Sequence, residues 1–402
     1  MSARRLSCHF TNRHQQMKLK QTINLINKSK INFYFLVVDN FLDIDLPFLK
    51  NFHLIYAYTP QKPPKSQFFC LQQNDIKLKQ KNSGKLLANP KVINYIKQTS
   101  LQNNSQPAII PFKPSGKISH ICQENNWILV SNPSQLNRLF ENKFKFIKIC
   151  QNNKITTIPS YIDKFNSNNF KKYQFLFKNK NLVIQKSFGW AGKGTFTGNQ
   201  FKKIKNKITS QSIVKFSPKL SGYTLLNNCC IFHSRLIQSP PALQFTGIPP
   251  FTKNPLTTVG RQWPCLTSTK VKNQVKAITL QFSQILLKYN YQGFFGLDFF
   301  VNQKQKVFLL ECNARLTASF AFYTQIELKN NILPLFILHL AEFCQIPLKV
   351  NIKKMQSRFS STKITGSEIT YKDQSGNTKR KINAFTKFSQ SINPPIIKIH
   401  EK

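Results

Sequence analysis

The sequence predicts a mixed α/β (α+β) protein of two or three domains, on three observations. First, runs of aromatic and β-branched residues alternate with stretches of helical periodicity over 402 residues. Second, 41% of the chain is apolar, and 36 Phe and 11 Tyr against 13 Gly exclude a Gly-rich polymer or a generic disordered chain. Third, two β-rich runs, 293–301 and 307–315, flank a short polar turn, the pattern of a hairpin.

Residues 1–30 are polar and basic, with room for one short helix. Ile31 to Val38 is a buried strand candidate that ends at Asp39-Asn40, and Phe52 to Tyr58 is another. Pro60, Pro63 and Pro64 then break the chain. A helix-like stretch near Val92 to Ile96 follows, then a helix at Ile118 to Cys122, a strand at Trp127 to Val130 and helical periodicity from Leu136 to Cys150. Further on come strands at Leu182 to Ile184 and Ile213 to Phe216, with a short helix at Phe201 to Ile208 between them. Thr224 to Ile237 reads as two strands. Ser239 to Pro264 holds six prolines and reads as a long ordered loop or a lid. Val271, Val275, Ile278, Phe282, Ile285, Leu286 and Tyr289 recur every three to four residues, so 270–289 is an amphipathic helix. After the hairpin, Ile332 to Cys344 is helical, and 351–402 looks like an appended basic tail. The expected division is a small α/β domain at 1–130, a second domain at 131–350 and an extension at 351–402.

The charge, 59 Lys+Arg against 14 Asp+Glu, raises the question of nucleic acid. Only nine of the basic residues are Arg, and Lys is spread along the whole chain among Asn, Ile and Phe. That pattern fits a genome rich in A and T as well as a polyanion-binding surface. No helix-turn-helix, aromatic RNA-binding strand or Arg-rich stripe accompanies it, so no specific nucleic acid is expected. The scarcity of acids makes each carboxylate informative. The nine Cys have no C-x-x-C spacing and the seven His no zinc spacing, which points to buried thiols in a reducing, cytoplasmic compartment. No segment reads as a membrane span.

The hairpin carries the chemistry. Pairing Asn302 with Val307 across a four-residue loop sets Asp298 directly opposite Glu311. Leu297, Phe299, Val301, Phe308, Leu310 and Cys312 then share an apolar face, and Asp298, Glu311 and Asn313 share the other. Two facing carboxylates repel and destabilise a sheet. A divalent cation resolves the conflict, because two carboxylates and an amide oxygen make a hard donor set suited to Mg²⁺ (or Mn²⁺) shared with phosphates. Neutralisation by neighbouring Lys is the alternative. Arg315 lies just beyond, able to meet a phosphate or carboxylate bidentately. A second signal is Gly189-x-x-Gly192-x-Gly194, a Gly-rich turn whose amides can approach phosphate, although it is neither a Walker A sequence nor a dinucleotide fingerprint.

Taken together, Lys143, the strand into the Gly-rich loop, the strand Ile213 to Ser217 and the closing Glu311-Cys312-Asn313-Ala314-Arg315 resemble, over 135–345, the ATP-grasp superfamily of ATP-dependent carboxylate ligases. The resemblance implies an ATP-grasp fold with a small N-terminal pre-grasp domain. It implies ATP and Mg²⁺ as cofactors, small-molecule carboxylate and amine substrates, and transfer of a phosphoryl group to a carboxylate. An amine or similar nucleophile would then attack the acyl phosphate. By position, Lys143 matches a first phosphate-contacting lysine. Lys186 matches the second, with Gln185 the residue that ungapped register puts there. Gly189, Gly192 and Gly194 match the mobile loop, and the backbone of Lys215, Phe216 and Ser217 the adenine-reading strand, although Lys215 stands where many relatives carry an acid. Asp298, Glu311 and Asn313 match the metal ligands, and Arg315 the residue beside the transferred group. Gln244, Arg261, Gln262 and Trp263 are candidates for acceptor recognition. The alternatives are a non-catalytic nucleotide-binding protein on the same scaffold and a basic nucleic-acid-associated protein.

Overall fold

The structure, a computed structural model, describes residues 19–38, 42–60, 62–72, 82–189, 194–249, 251–252, 254–372 and 379–384. The Asp39-Asn40 loop signal and Gly192 lie outside them.

The first sheet is parallel throughout. It is built from β1 (Ile31–Val37), β2 (Phe52–Tyr56), β3 (Gln67–Cys70), β4 (Gln106–Pro111) and β5 (Ile128–Leu129), in the order β3-β2-β1-β4-β5. Parallel strands need covering on both faces, and β1 and β2 are accordingly apolar almost throughout. Helices α2 (Ser83–Leu87), α3 (Pro90–Gln102) and α4 (Gly116–Glu124) supply the cover on one face. The other face meets α1 (Leu19–Lys28) and two later helices, at Phe320–Lys329 and Leu335–Phe343.

Two short helices follow, α5 (Ser134–Glu141) and α6 (Lys143–Asn152). The sequence reads 136–150 as one periodic stretch, but Asn142 breaks it. Its extended backbone leaves the helix, and its Oδ1 accepts the N–H groups of Phe144 and Lys145 as the cap of α6. A small antiparallel sheet comes next: β6 (Tyr161–Lys164), β7 (Leu182–Gln185), β8 (Thr195–Gly198) and β9 (Ile213–Pro218), ordered β6-β9-β7-β8. One face packs on α7 (Ser167–Leu176) and α8 (Phe201–Lys205) through Leu182, Ile184, Val214 and Phe216.

The large sheet is made by β10 (Gly222–Phe232), β11 (Arg235–Gln238), β12 (Ala242–Thr246), β13 (Thr258–Trp263), β14 (Gly293–Asn302), β15 (Val307–Asn313), β16 (Gly366–Lys372) and β17 (Lys379–Ala384). Its path is β15-β14-β10-β12-β13-β16-β17, with β11 beside β10. One face lies against the amphipathic helix α9 (Thr269–Lys288), as its periodicity predicts. The other face is half covered by α10 (Phe320–Lys329) and α11 (Leu335–Phe343), which join it to the first sheet in one core. A last short helix, α12 (Ile352–Gln356), precedes β16. Cys229 and Cys230 point to opposite faces, one into each core, as adjacent strand residues must. The eight described cysteines are buried, and none of them is in a disulfide. No helix among the described residues is long and apolar enough to cross a membrane.

Three expectations need correction. Residues 239–264 are neither loop nor lid, since they contain β12 and β13. The strands themselves are free of Pro until their ends: Pro240 and Pro241 precede β12, Pro249 and Pro255 fall in the connection, and Pro264 follows β13. Next, 351–402 is not simply appended, because β16 pairs with β13 from Gly260↔Ile369 to Trp263↔Gly366. Last, the hairpin holds Asp298 opposite Glu311 as expected, but by a different route. Near the turn Val301, not Asn302, faces Val307, and a bulge restores the register at Asp298. The core face therefore takes Val307 and Leu309 in place of Phe308 and Leu310.

Candidate active site

The uncovered half of the large sheet is the floor of the site. Residues paired across neighbouring strands share a face. Glu311 and Asp298 begin one such row, which runs into the covered core at Leu226 and Ala242, and Phe300, Thr224, Gln244 and Arg261 lie in the next, which ends at buried Glu368. Above the first row stands the start of α6. Its Lys143 is only 9% exposed at the side chain, and its ammonium is hydrogen-bonded to Glu311 Oε2.

Asp298 accepts from Gln244 Nε2 at 2.7 Å and from Asn313 Nδ2 at 2.9 Å. Asn313 Oδ1 accepts from Arg315 at 3.0 Å. The Arg315 guanidinium pairs with Glu141 at 2.8 Å, gives a second bond to the Leu316 carbonyl and lies over the Phe112 ring. Glu141 also takes the Lys113 ammonium at 2.7 Å. One network thus runs from the first domain through Glu141 and Arg315 to both carboxylates.

The two acids differ in state. Burial, with the Glu311 charge added, pushes the Asp298 carboxyl well above its ordinary range. Burial also works to raise Glu311, but the Lys143 ammonium outweighs it and holds Glu311 below. For Glu141, burial again opposes ionisation, and Arg315 and Lys113 together overcome it. Lys neutralisation and metal binding, posed as alternatives for the acid pair, therefore meet at Glu311. Only two carboxylates converge here, and no cluster of three His, Cys, Asp or Glu side chains forms among the described residues. The donor set of Asp298, Glu311 and the Asn313 amide oxygen fits a hard cation of the Mg²⁺ kind. Asp298, its carboxyl burdened by burial and by Glu311, is the group such a cation would relieve.

The small sheet forms the opposite wall. Ile184 and Phe216 face its own core, so Gln185 and its cross-strand partner Lys215 face the other way, with Val183 and Ser217. Gln185 donates to Thr195 Oγ1 at 3.2 Å. Lys186 is one position on and exposed, its ammonium 5.9 Å from the Phe196 ring centroid. Of the two, Gln185 shares the Lys215 face and Lys186 does not. The Phe216 ring is core. Its backbone has ladder neighbours on both sides, β6 and β7, whereas Ser217 is paired with β7 alone. The Lys143 N–H reaches the Ser187 carbonyl at 2.8 Å, which brings the Gly-rich segment to the start of α6. Gly194 turns with φ +81, and a Cβ there would press on the Phe188 carbonyl oxygen at 3.1 Å, so glycine is required at this point. Gly189 is placed beside it in the same turn.

Gln244 and Arg261 are on the floor beside Asp298, Arg261 held by buried Glu368 at 2.8 Å. Gln262 and Trp263 do not join them. Gln262 points to the opposite face, and Trp263 is buried against Phe322 and Tyr323. Glu141, Glu368 and the Lys215 side chain are the residues the sequence reading missed. For the two acids a signal existed, since a chain with 14 carboxylates seldom places one idly.

No protein-family model and no curated protein matches the sequence. Solved structures do match. N5-carboxyaminoimidazole synthetase from Staphylococcus aureus, complexed with ADP, superposes with a TM-score of 0.55 at 11% identity, over 86% of this chain and 84% of that one. Biotin carboxylase from Campylobacter jejuni, in a β-γ-ATP complex, gives 0.55 at 12% identity, over 85% and 75%. Phosphoribosylamine–glycine ligase from Thermotoga maritima gives 0.54 at 13%, over 85% and 79%. The chain has the ATP-grasp fold. Within it, the acid pair lies on the large sheet and Gln185 and Lys215 on the small one, with Lys215 near enough to Lys143 and Glu311 to feel their charges.

Proposed function

We propose that the protein is a Mg-ATP-dependent ligase that activates a small-molecule carboxylate as an acyl phosphate for attack by an amine or similar nucleophile. The observation that carries this is the Asp298–Glu311 pair, completed by Asn313 and Arg315, on the open floor of an ATP-grasp fold. Asp298, Glu311 and Asn313 would hold the metal, which when bound neutralises phosphate charge.

The remaining work falls to the chain's own groups. Lys143 would exchange its bond to Glu311 for one to a nucleotide phosphate. Arg315, kept in place by Glu141 and Phe112, would hold the charge that develops on the transferred phosphoryl group. The substrate carboxylate oxygen attacks the γ-phosphorus and ADP leaves. The nucleophile then attacks the acyl carbon and phosphate departs. The loop carrying Gly189, Gly192 and Gly194 would shield the acyl phosphate from water. Gln244 and Arg261, next to Asp298, are the groups we assign to the acceptor. A second reading, nucleotide binding without turnover, draws on Gln185, a neutral side chain on the wall shared with Lys215.

The test is a melting series with Mg-ATP in moderate salt, followed by a screen of carboxylates with amines for ADP release. Stabilisation by Mg-ATP with acceptor-dependent ADP supports the ligase. Stabilisation with no ADP from any pair supports the second reading, and no stabilisation removes both.

A further inference from the structure

We propose that the Lys215 ammonium is a direct contact for the polyphosphate of the bound nucleotide, which lies between Lys215 on the small sheet and Lys143 at the start of α6. This rests on the ligase or nucleotide-binding reading above and assigns a residue within it.

Lys215 is on β9, a central strand, and only 7% of the residue is exposed. Its side chain makes no hydrogen bond or ion pair to any described residue. Its cross-strand neighbours, Gln185 and Ile162, are neutral, and Gln185 is turned to Thr195. The charges closest to it are Lys143 and Glu311, and the Glu311 carboxylate is already hydrogen-bonded to Lys143. The one carboxylate that acts on Lys215 is therefore already held by Lys143. A buried cation without a partner is costly, and an anion that enters between the two lysines removes the cost. The position suits a phosphate chain, because the two cations come from different elements, β9 and the start of α6. The Gly-rich segment, joined to α6 through the Ser187 carbonyl, adjoins the same space.

The experiment measures binding of Mg-ATP, and of inorganic tripolyphosphate with chelator, by calorimetry at about 0.3 M salt, where surface attraction is screened. Lys215→Gln is compared with wild type and with Lys219→Gln, which removes an exposed lysine four residues on. We expect Lys215→Gln to bind both ligands about ten- to a hundredfold more weakly. Its melting temperature without ligand should equal or exceed that of wild type, since an uncompensated buried charge has gone. The exchange variant Gln185→Lys/Lys215→Gln, which returns the ammonium at the paired position, should recover most of the affinity. Lys219→Gln should match wild type. Unchanged affinity in Lys215→Gln overturns the assignment and leaves the ligase reading standing. An equal loss in Lys219→Gln also overturns it, as does a large fall in ligand-free melting with affinity intact. If wild type binds neither ligand, the nucleotide reading itself falls.

Discussion

Glu311→Gln separates the structural duty of one carboxylate from the metal-holding duty proposed for it. Gln is nearly isosteric, so the perturbation is the charge. Without it, Lys143 keeps a polar neighbour but loses its counter-ion, and Lys215 loses its nearest negative charge. Breaking a fully buried ion pair costs about 3–5 kcal/mol and an exposed one about 0–1. The Lys143 side chain is 9% exposed but that of Glu311 is 37%, so water offsets part of the loss. An intermediate figure of about 2 kcal/mol follows. The ligand effect goes the other way. At a hundred times Kd, Mg-ATP adds about 2.7 kcal/mol to wild type. In the variant, the increment that requires Mg²⁺ should vanish. The increment from ATP with chelator should persist or grow, because the site is one unit more positive. Denaturant melts of both proteins, with ATP plus Mg²⁺ and ATP plus chelator, read all four quantities. A Mg²⁺-dependent increment that survives in Glu311→Gln would refute the assignment of Glu311 to the metal.

Further outcomes are expected. Glu141→Gln frees Arg315 from its orienting partner, so turnover should fall about tenfold to a hundredfold with Mg-ATP affinity little changed. An equal loss of affinity would mean that Glu141 only supports the fold. His53 and His339 are buried as neutral rings, the first beside the Tyr95 hydroxyl, the second accepting the Phe294 N–H at 3.0 Å. Burial lowers them to about 4 and about 3. The unfolded chain therefore binds the extra protons, and stability is lost as pH falls below about 6.5. From pH 7.5 to 5.5 the two should remove about 2.7 kcal/mol together, read from urea midpoints. A flat profile would contradict the neutral assignment. Gly293 has φ +74, and a Cβ would run into the His339 ring, so Gly293→Ala should cost about 3 kcal/mol or more; a loss below about 1 would show that the strand can shift.

Much of the candidate site's geometry was readable because its acids are few and its strands alternate. Asp298 facing Glu311 follows from parity along two β-rich runs. The bulge was hidden because Val307-Phe308-Leu309-Leu310 is apolar at every position, and such a run does not say which side chains face the core. Proline density misled in 239–264, where it marked the turns around two strands and not the strands. The β16 segment is short and polar, and only the free edge of β13 reveals its place. Lys215 was one lysine among 50 in the sequence. Burial alone sets it apart, and burial comes from tertiary packing that no local pattern encodes.

The outer edge of β15 has one more effect. Leu309, paired with Phe299 on one side, donates its N–H on the other to the Thr156 carbonyl at 2.9 Å, in the segment that leads out of α6 toward β6. The smaller sheet is thus moored to the larger one two residues from Glu311. A swing of the smaller sheet about that mooring would carry Lys215 through a wider arc than the carboxylates, so the distance across the site could change without disturbing the proposed metal ligands.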